Sequence, residues 1–158
     1  MRCLQQKKII MKKSLILLSI LVTQVLFAQE YVHQVLVLNE GYFNYTTNQS
    51  VVPPTIGIYD PVTEIYTTVD TILGARFASD MIIDGDHVYV AADNMLYKYD
   101  KDDMSLTCSQ SVSGIRNLAV WNDKIIVTRG DYDNTTFMPI LFNSYLQVFN
   151  TSDLSFYM

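Results

Sequence analysis

Apolar and polar positions alternate through short runs of this chain, and the runs recur. Met81–Val90 (MIIDGDHVYV) and Leu118–Val127 (LAVWNDKIIV) each set a short polar turn between two apolar strands. Met95–Asp100 (MLYKYD) has counterparts upstream at Ile56–Asp60 (IGIYD) and downstream at Leu146–Asn150 (LQVFN). A period of two is that of a half-buried strand, and strands joined by such short turns pair as antiparallel hairpins. The recurrence spacing is roughly 40 residues, the length of one four-stranded β-propeller blade.

In chain order the pattern predicts strands over Tyr31–Leu38, Thr55–Tyr59 and Glu64–Val69, then a four-strand set at Met81–Ile83, His87–Ala91, Met95–Tyr99 and Ser105–Gln110. A second set follows at Leu118–Trp121, Lys124–Arg129 and Tyr145–Phe149, with a last strand from Leu154. Asp84-Gly85-Asp86 offers a glycine for positive φ, and Asp93-Asn94 tolerates the left-handed region. Asn39–Pro54 and Gly130–Ser144, rich in Asn, Thr and Tyr, are expected as long loops. No helical period appears after residue 28. The fold class expected is therefore all-β: a partial propeller over residues 29–158, with blades near 31–70, 80–111 and 117–158. A closed ring has about 4–8 blades, so this is expected to be the N-terminal portion of a longer one. An oligomer of such portions and a small β-sandwich are the alternatives.

Composition changes the picture at one end. Lys7, Lys8, Lys12 and Lys13 precede an apolar run, Leu15–Ala28, and Gln29-Glu30 then opens polar sequence. A basic head, a short apolar stretch and a small exit residue make residues 1–28 a secretory signal peptide. A retained anchor is disfavoured by a run shorter than the ~20 residues needed to span a bilayer. Met11-Lys12-Lys13 resembles a start, which would make residues 1–10 a mis-assigned extension. Removing residues 1–28 leaves six basic against sixteen acidic residues, a net charge of about −10. Such a surface repels phosphate backbones, so nucleic acid is not an expected partner. Cys108 is the one cysteine left, so packing rather than a disulfide has to hold the fold. The expected location is exported, whether periplasmic, cell-surface or secreted, with no transmembrane segment after cleavage.

Val35-Leu36-Val37-Leu38-Asn39-Glu40-Gly41 followed by an aromatic resembles the opening of secreted YncE-like (YVTN-type) β-propellers of Gram-negative bacteria. Ile56–Asp60, Gly85–Val90 and the Leu26–Gln29 ending of the leader are similar to the same family. The resemblance implies a seven-bladed, noncatalytic periplasmic or surface protein. Some relatives capture cobalamin at the cell surface and pass it to an outer-membrane transporter. The family supplies no ligand motif to carry onto positions here. The chain is also shorter than the family and lacks a lipoprotein cysteine.

In a propeller the turns Asp60–Thr63, Asp84–Asp86, Asp100–Asp103, Asn122-Asp123 and Asn150–Asp153 would share one face, and all are tight. The long segments Asn39–Pro54, Asp70–Ser79, Ser111–Asn117 and Gly130–Ser144 would share the other. Long loops on a rigid scaffold are where binding concentrates. The candidate ligand-binding residues are thus Tyr42, Phe43, Tyr45, Arg76, Phe77, Arg116, Asn117, Tyr132 and Phe137. Arginine forks grip carboxylate or phosphate, and aromatics give rigid contact area. The alternative reading is that the arginines pair with Asp80 or neighbouring acids and the aromatics pack the loops down. Asp131, Asp133 and Asn134 alternate oxygen donors as calcium prefers, but the rest of an EF-type loop is missing and a solvated loop is the preferred reading. His33 and His87 fall in expected strands and make a poor zinc pair. The function expected is noncatalytic binding of a small molecule such as cobalamin, a glycan or a cell-surface protein, with no resident cofactor. A metal-dependent hydrolase or lyase drawing on Glu40, Asp80 and Asn117 is the competing class, and a nonfunctional truncated product the third.

Overall fold

The computed structural model describes residues 34–158, and Gln34–Met158 is a unit of its own. The expected leader over residues 1–28, and the start of the first strand with His33, lie outside the described residues. Among the described residues the structure is all-β, with twelve strands: β1 (Val35–Asn39), β2 (Tyr42–Asn44), β3 (Gln49–Val52), β4 (Thr55–Asp60), β5 (Ile65–Thr71), β6 (Ala78–Asp84), β7 (His87–Ala92), β8 (Met95–Asp100), β9 (Leu106–Ser111), β10 (Ile115–Trp121), β11 (Lys124–Arg129) and β12 (Leu146–Asn150). They form a first sheet β1-β4-β5, a middle sheet β6-β7-β8-β9, a third sheet β10-β11-β12 and the hairpin β2-β3. Every pairing is antiparallel. Phe156 adds an isolated bridge to Phe149 at the edge of the third sheet. Among the described residues no helix is long and apolar enough to cross a membrane.

The alternation seen in the sequence sorts side chains into two apolar layers. Val88, Val90 and Ala92 of β7 join Ile56, Ala78, Tyr99 and Met104, with Leu36, Leu38 and Ile58 packed against them. Tyr89 and Ala91, the alternate residues of the same strand, join Leu96, Leu118, Ile125, Val127, Phe149 and Leu154. The middle sheet is therefore covered on both faces, which is why β7 is apolar almost throughout. Each fully buried Val, Leu, Ile or Phe contributes about 1.5–3 kcal/mol. Cys108 packs at the margin of the second layer, and burial pushes its thiol upward.

Polar groups tie the sheets together. Lys98 Nζ, buried, donates to Thr151 O and Ser152 O at 2.9 and 3.0 Å, and Tyr89 Oη donates to Thr151 O at 3.2 Å. Tyr99 Oη donates to Asp70 Oδ2 at 2.7 Å. At the β6–β10 seam, Leu118 N donates to Asp80 Oδ2 and Ser79 Oγ to Arg116 O, both at 2.7 Å. On the other side of β6, Ala78 N donates to Glu40 O at 3.0 Å.

Burial of the two tyrosines has a pH consequence. Burial, with the charge of Asp84 adding to it, pushes Tyr89 from 10.0 up to about 12. Burial first and the bond to Asp70 next raise Tyr99 as well. A phenol whose ionisation is suppressed by folding stabilises the fold fully below the unfolded pKa near 10, and that contribution is lost as pH rises towards the folded value. Ultraviolet titration should show Tyr89 and Tyr99 ionising late, with unfolding setting in above about pH 10. If every tyrosine ionises at its ordinary pH while the fold persists, these hydroxyls are not buried as described.

Two expectations are corrected. Asn39–Pro54 is not a plain loop, because it contains the β2–β3 hairpin. Asn44 Oδ1 accepts from Thr46 N and Thr47 N at 2.9 and 3.2 Å, and Asn48 takes φ 55. A bulge between Tyr42 and Phe43 hides the alternation. Likewise β6 and β10 begin three residues before Met81 and Leu118, where bulges at Ala78/Asp80 and Ile115/Leu118 break the period. Arg116 thereby sits inside a strand rather than ahead of one.

Candidate functional site

One turn design recurs through the structure. Asp60 Oδ1 accepts from Val62 N and Asp100 Oδ1 from Asp102 N, each at 2.8 Å. Four residues after each carboxylate, Glu64 and Met104 take φ 58 and 56. Asn150–Leu154 closes in the same way, with Leu154 N donating to Asn150 O at 3.0 Å and Leu154 at φ 58. The left-handed region costs a non-glycine residue roughly 1–2 kcal/mol. Burying Met104 and Leu154 offsets that cost. Asp133–Phe137 is a further copy: Asp133 Oδ1 accepts from Thr135 N at 3.0 Å and Thr136 N at 2.7 Å, and Phe137 takes φ 55. Here the left-handed residue is aimed outward, with Phe137 63% exposed. The Asn44–Asn48 turn is built alike.

These last two turns face each other across an open cleft of about 530 Å³ lined by Tyr45, Thr46, Asn48, Asn134, Thr135 and Phe137. Tyr45 and Thr46 also border a neighbouring cleft of about 510 Å³, which Tyr42, Phe43, Arg76 and Phe77 line. Asn134 and Thr135 border a third, of about 370 Å³, with Arg76, Asp131, Tyr132 and Asp133. Of the nine residues expected from the sequence, Tyr42, Phe43, Tyr45, Arg76, Phe77, Tyr132 and Phe137 are thus brought to adjoining surfaces. Arg116 and Asn117 line none of these three clefts. Asn117 N donates to Thr128 Oγ1 at 3.1 Å on β10.

The arginines are held by acids, though not by Asp80. Arg76 Nε and Nη2 donate to Asp93 Oδ1 at 2.9 and 2.5 Å, Nη2 to Asp131 Oδ2 at 2.8 Å, and Nη1 to Asn134 Oδ1 at 2.7 Å. The bond to Asp93 leads in raising the Arg76 guanidinium above its ordinary value, burial opposing it. Arg116 donates from Nε to Gly130 O at 2.6 Å and from Nη2 to Asp131 Oδ1 at 3.3 Å. The Phe77 ring packs against both cations, 5.3 Å from the Arg76 guanidinium carbon and 4.5 Å from that of Arg116. Two cations meet two carboxylates, leaving no net charge on the cluster.

The same bonds account for the calcium-like triplet. Asp131 serves the two arginines and Tyr132 N, Asn134 serves Arg76, and Asp133 closes its own turn. The backbone bond from Thr136, with its hydroxyl next, holds the Asp133 carboxyl below the usual range. Among the described residues no three His, Cys, Asp or Glu side chains are grouped to hold a metal. Asp80, a candidate for the hydrolytic class, instead receives Met81 N and Leu118 N at 2.9 and 2.7 Å. Asn48, Thr46 and Thr135 were not singled out from sequence. Their signal was the Asx turn spacing, an Asn or Asp with Thr two or three residues on. No protein-family model and no curated protein matches the chain.

Proposed function

We propose that the chain is an exported, noncatalytic binding protein of the YncE-like propeller kind, with its three larger sheets as consecutive blades. Its ligand is an uncharged, hydroxyl-rich molecule, of which a glycan is the type, and it lies across the Tyr45–Phe137 cleft. The observation that carries this is the pair of facing Asx turns. They hold exposed aromatic rings and amide and hydroxyl groups around one opening. Aromatic faces give contact area at little entropic cost, and amides and hydroxyls match sugar hydroxyls. An anionic ligand is disfavoured because both arginines are already matched by Asp93 and Asp131. The blade reading is supported by the recurrence of one turn geometry at Glu64, Met104 and Leu154 and by β6 lying between β1 and β10.

The test is a panel of neutral oligosaccharides screened against the purified protein, followed by Tyr45→Ala and Phe137→Ala. Each substitution is expected to weaken binding about tenfold, equivalent to about 1.4 kcal/mol, without moving the urea midpoint. Equal affinity of both variants for a confirmed ligand would overturn the placement. Absence of binding across the panel would overturn the ligand class.

A further inference from the structure

Equivalent positions of β4, β8 and β12 follow one rule. Ile56, Leu96 and Leu146 correspond, as do Ile58, Lys98 and Val148, and Tyr59, Tyr99 and Phe149. Ile56 and Ile58 face the middle sheet, where Tyr99 comes to meet them. Leu96 faces the third sheet, where Phe149 comes to meet it, and Lys98 reaches the 150–154 turn from the same face. Each seam thus joins the leading face of one sheet to the aromatic, trailing face of the next.

Two faces lack such a cover among the described residues. On the leading face of the third sheet, register places Leu146, Val148, Ile126 and Trp121 together; Leu146 and Trp121 are 48% and 68% exposed, Ile126 is half-buried, and Val148, whose strand edge is paired with Met158, is buried. On the trailing face of the first sheet it groups Val35, Val37, Tyr59 and Tyr66, with Val35 42% and Tyr66 44% exposed. Tyr66 lies over Gly57, where a Cβ would collide with its ring, and its hydroxyl receives Asn39 Nδ2 at 2.8 Å. The trailing face is therefore smoothed by an aromatic held in place.

We propose that these faces bind one another between two copies of this chain, the first sheet of one copy seating on the third sheet of its partner. The argument is continuity: the new seam repeats the relation already made twice within the chain. Tyr59 would enter against Leu146 and Val148 as Phe149 enters against Leu96. One departure favours an intermolecular seam. Where Met104 and Leu154 are buried at the two internal seams, the equivalent Glu64 is exposed. The 60–64 turn would land over Ile126 and Val148, two residues along the same face from Lys124, whose ammonium lies 4.8 Å from the Tyr157 ring centroid. Lys124 already pairs with Asp123 Oδ2 at 2.7 Å, so Glu64 would join an existing ion pair at that end of the seam. The interface is heterologous, so it either closes or propagates. Counting the three larger sheets of the described residues, two copies would close it with six, within the ~4–8 of closed rings. The pairing rests on the observed stacking of sheets, and only the ring closure rests on the proposed blade reading.

Sedimentation equilibrium of the full chain, processed by its host, is expected to give twice the mass of a single chain. Leu146→Glu and, separately, Val35→Glu change residues exposed in one chain, so each variant is expected to stay folded by circular dichroism and to sediment as a monomer. Mixing the two should restore a dimer, because one intact leading face and one intact trailing face remain. A monomeric wild-type chain would overturn the proposal, as would a dimer indifferent to both substitutions. Failure of the mixture to associate would overturn the leading-to-trailing pairing. A filament in place of a dimer would overturn the two-copy closure. Glycan binding that survives in the monomeric variants would separate this proposal from the ligand assignment.

Discussion

Arg76→Met is expected to destabilise the fold by about 3–5 kcal/mol, the usual cost of removing one partner from a buried ion pair. The side chains of Asp93 and Asp131 are only 12% and 10% exposed, and Arg76 neutralises both. Its removal leaves two carboxylates facing each other with little water to screen them. Arg116 reaches only Asp131, at 3.3 Å, and cannot replace the lost charge at Asp93. The urea midpoint measures the effect. Arg76→Lys should recover little, since a single ammonium does not reproduce a fork that reaches Asp93, Asp131 and Asn134 together. Adding Asp93→Asn and Asp131→Asn to Arg76→Met should recover much of the loss, because the penalty is the uncompensated charge. A loss within about 0.5 kcal/mol, the range of an ordinary surface substitution, would mean that the cluster is solvated. This changes how the site should be probed. The sequence made Arg76 a candidate ligand contact, whereas its bonds to Asp93, Asp131 and Asn134 make Tyr45 and Phe137 the cleaner probes of binding.

Phe149→Ala is expected to cost about 3–5 kcal/mol, as for a large aromatic removed from a core. Phe149 is 2% exposed, shares a layer with Leu154, Ile125 and Tyr89, and meets the Phe156 ring edge-on at 5.8 Å. The informative comparison is Tyr59→Ala, the equivalent position of the first sheet, which belongs to neither buried layer. Measured in the Leu146→Glu background, so that association does not contribute, Tyr59→Ala should cost less than half as much. Chemical unfolding of the pair tests the repeat directly. Equal losses would mean that Tyr59 is already covered within one chain, and the equivalence of the three sheets would fail.

Most strands were legible because their signal is local. The alternation of Val88, Tyr89, Val90 and Ala91 shows two faces whatever lies on them, and β11 runs over the very span expected, Lys124–Arg129. Gly85 and Asp93 take the positive φ expected of their turns. The failures were also local in cause. Bulges at the starts of β6 and β10 and inside the β2–β3 hairpin shift the period by one residue, which makes a strand read as a loop. At the site, the aromatic residues were legible as loop aromatics. The Asp133 turn was not, because an Asx cap and a calcium loop draw on the same alternating oxygen residues.

By itself, then, the sequence determined most of the strands, the two alternating faces of β7 and the segments that carry the aromatics, since each depends on neighbours within a few residues. Only the tertiary structure decided where Arg76 spends its charge. Its acids lie 17 and 55 residues away, and no spacing rule selects Asp93 and Asp131 over Asp80. It also decided which apolar faces are covered. Alternation states that a face is apolar, but whether a second sheet lies on it depends on how the chain returns through space.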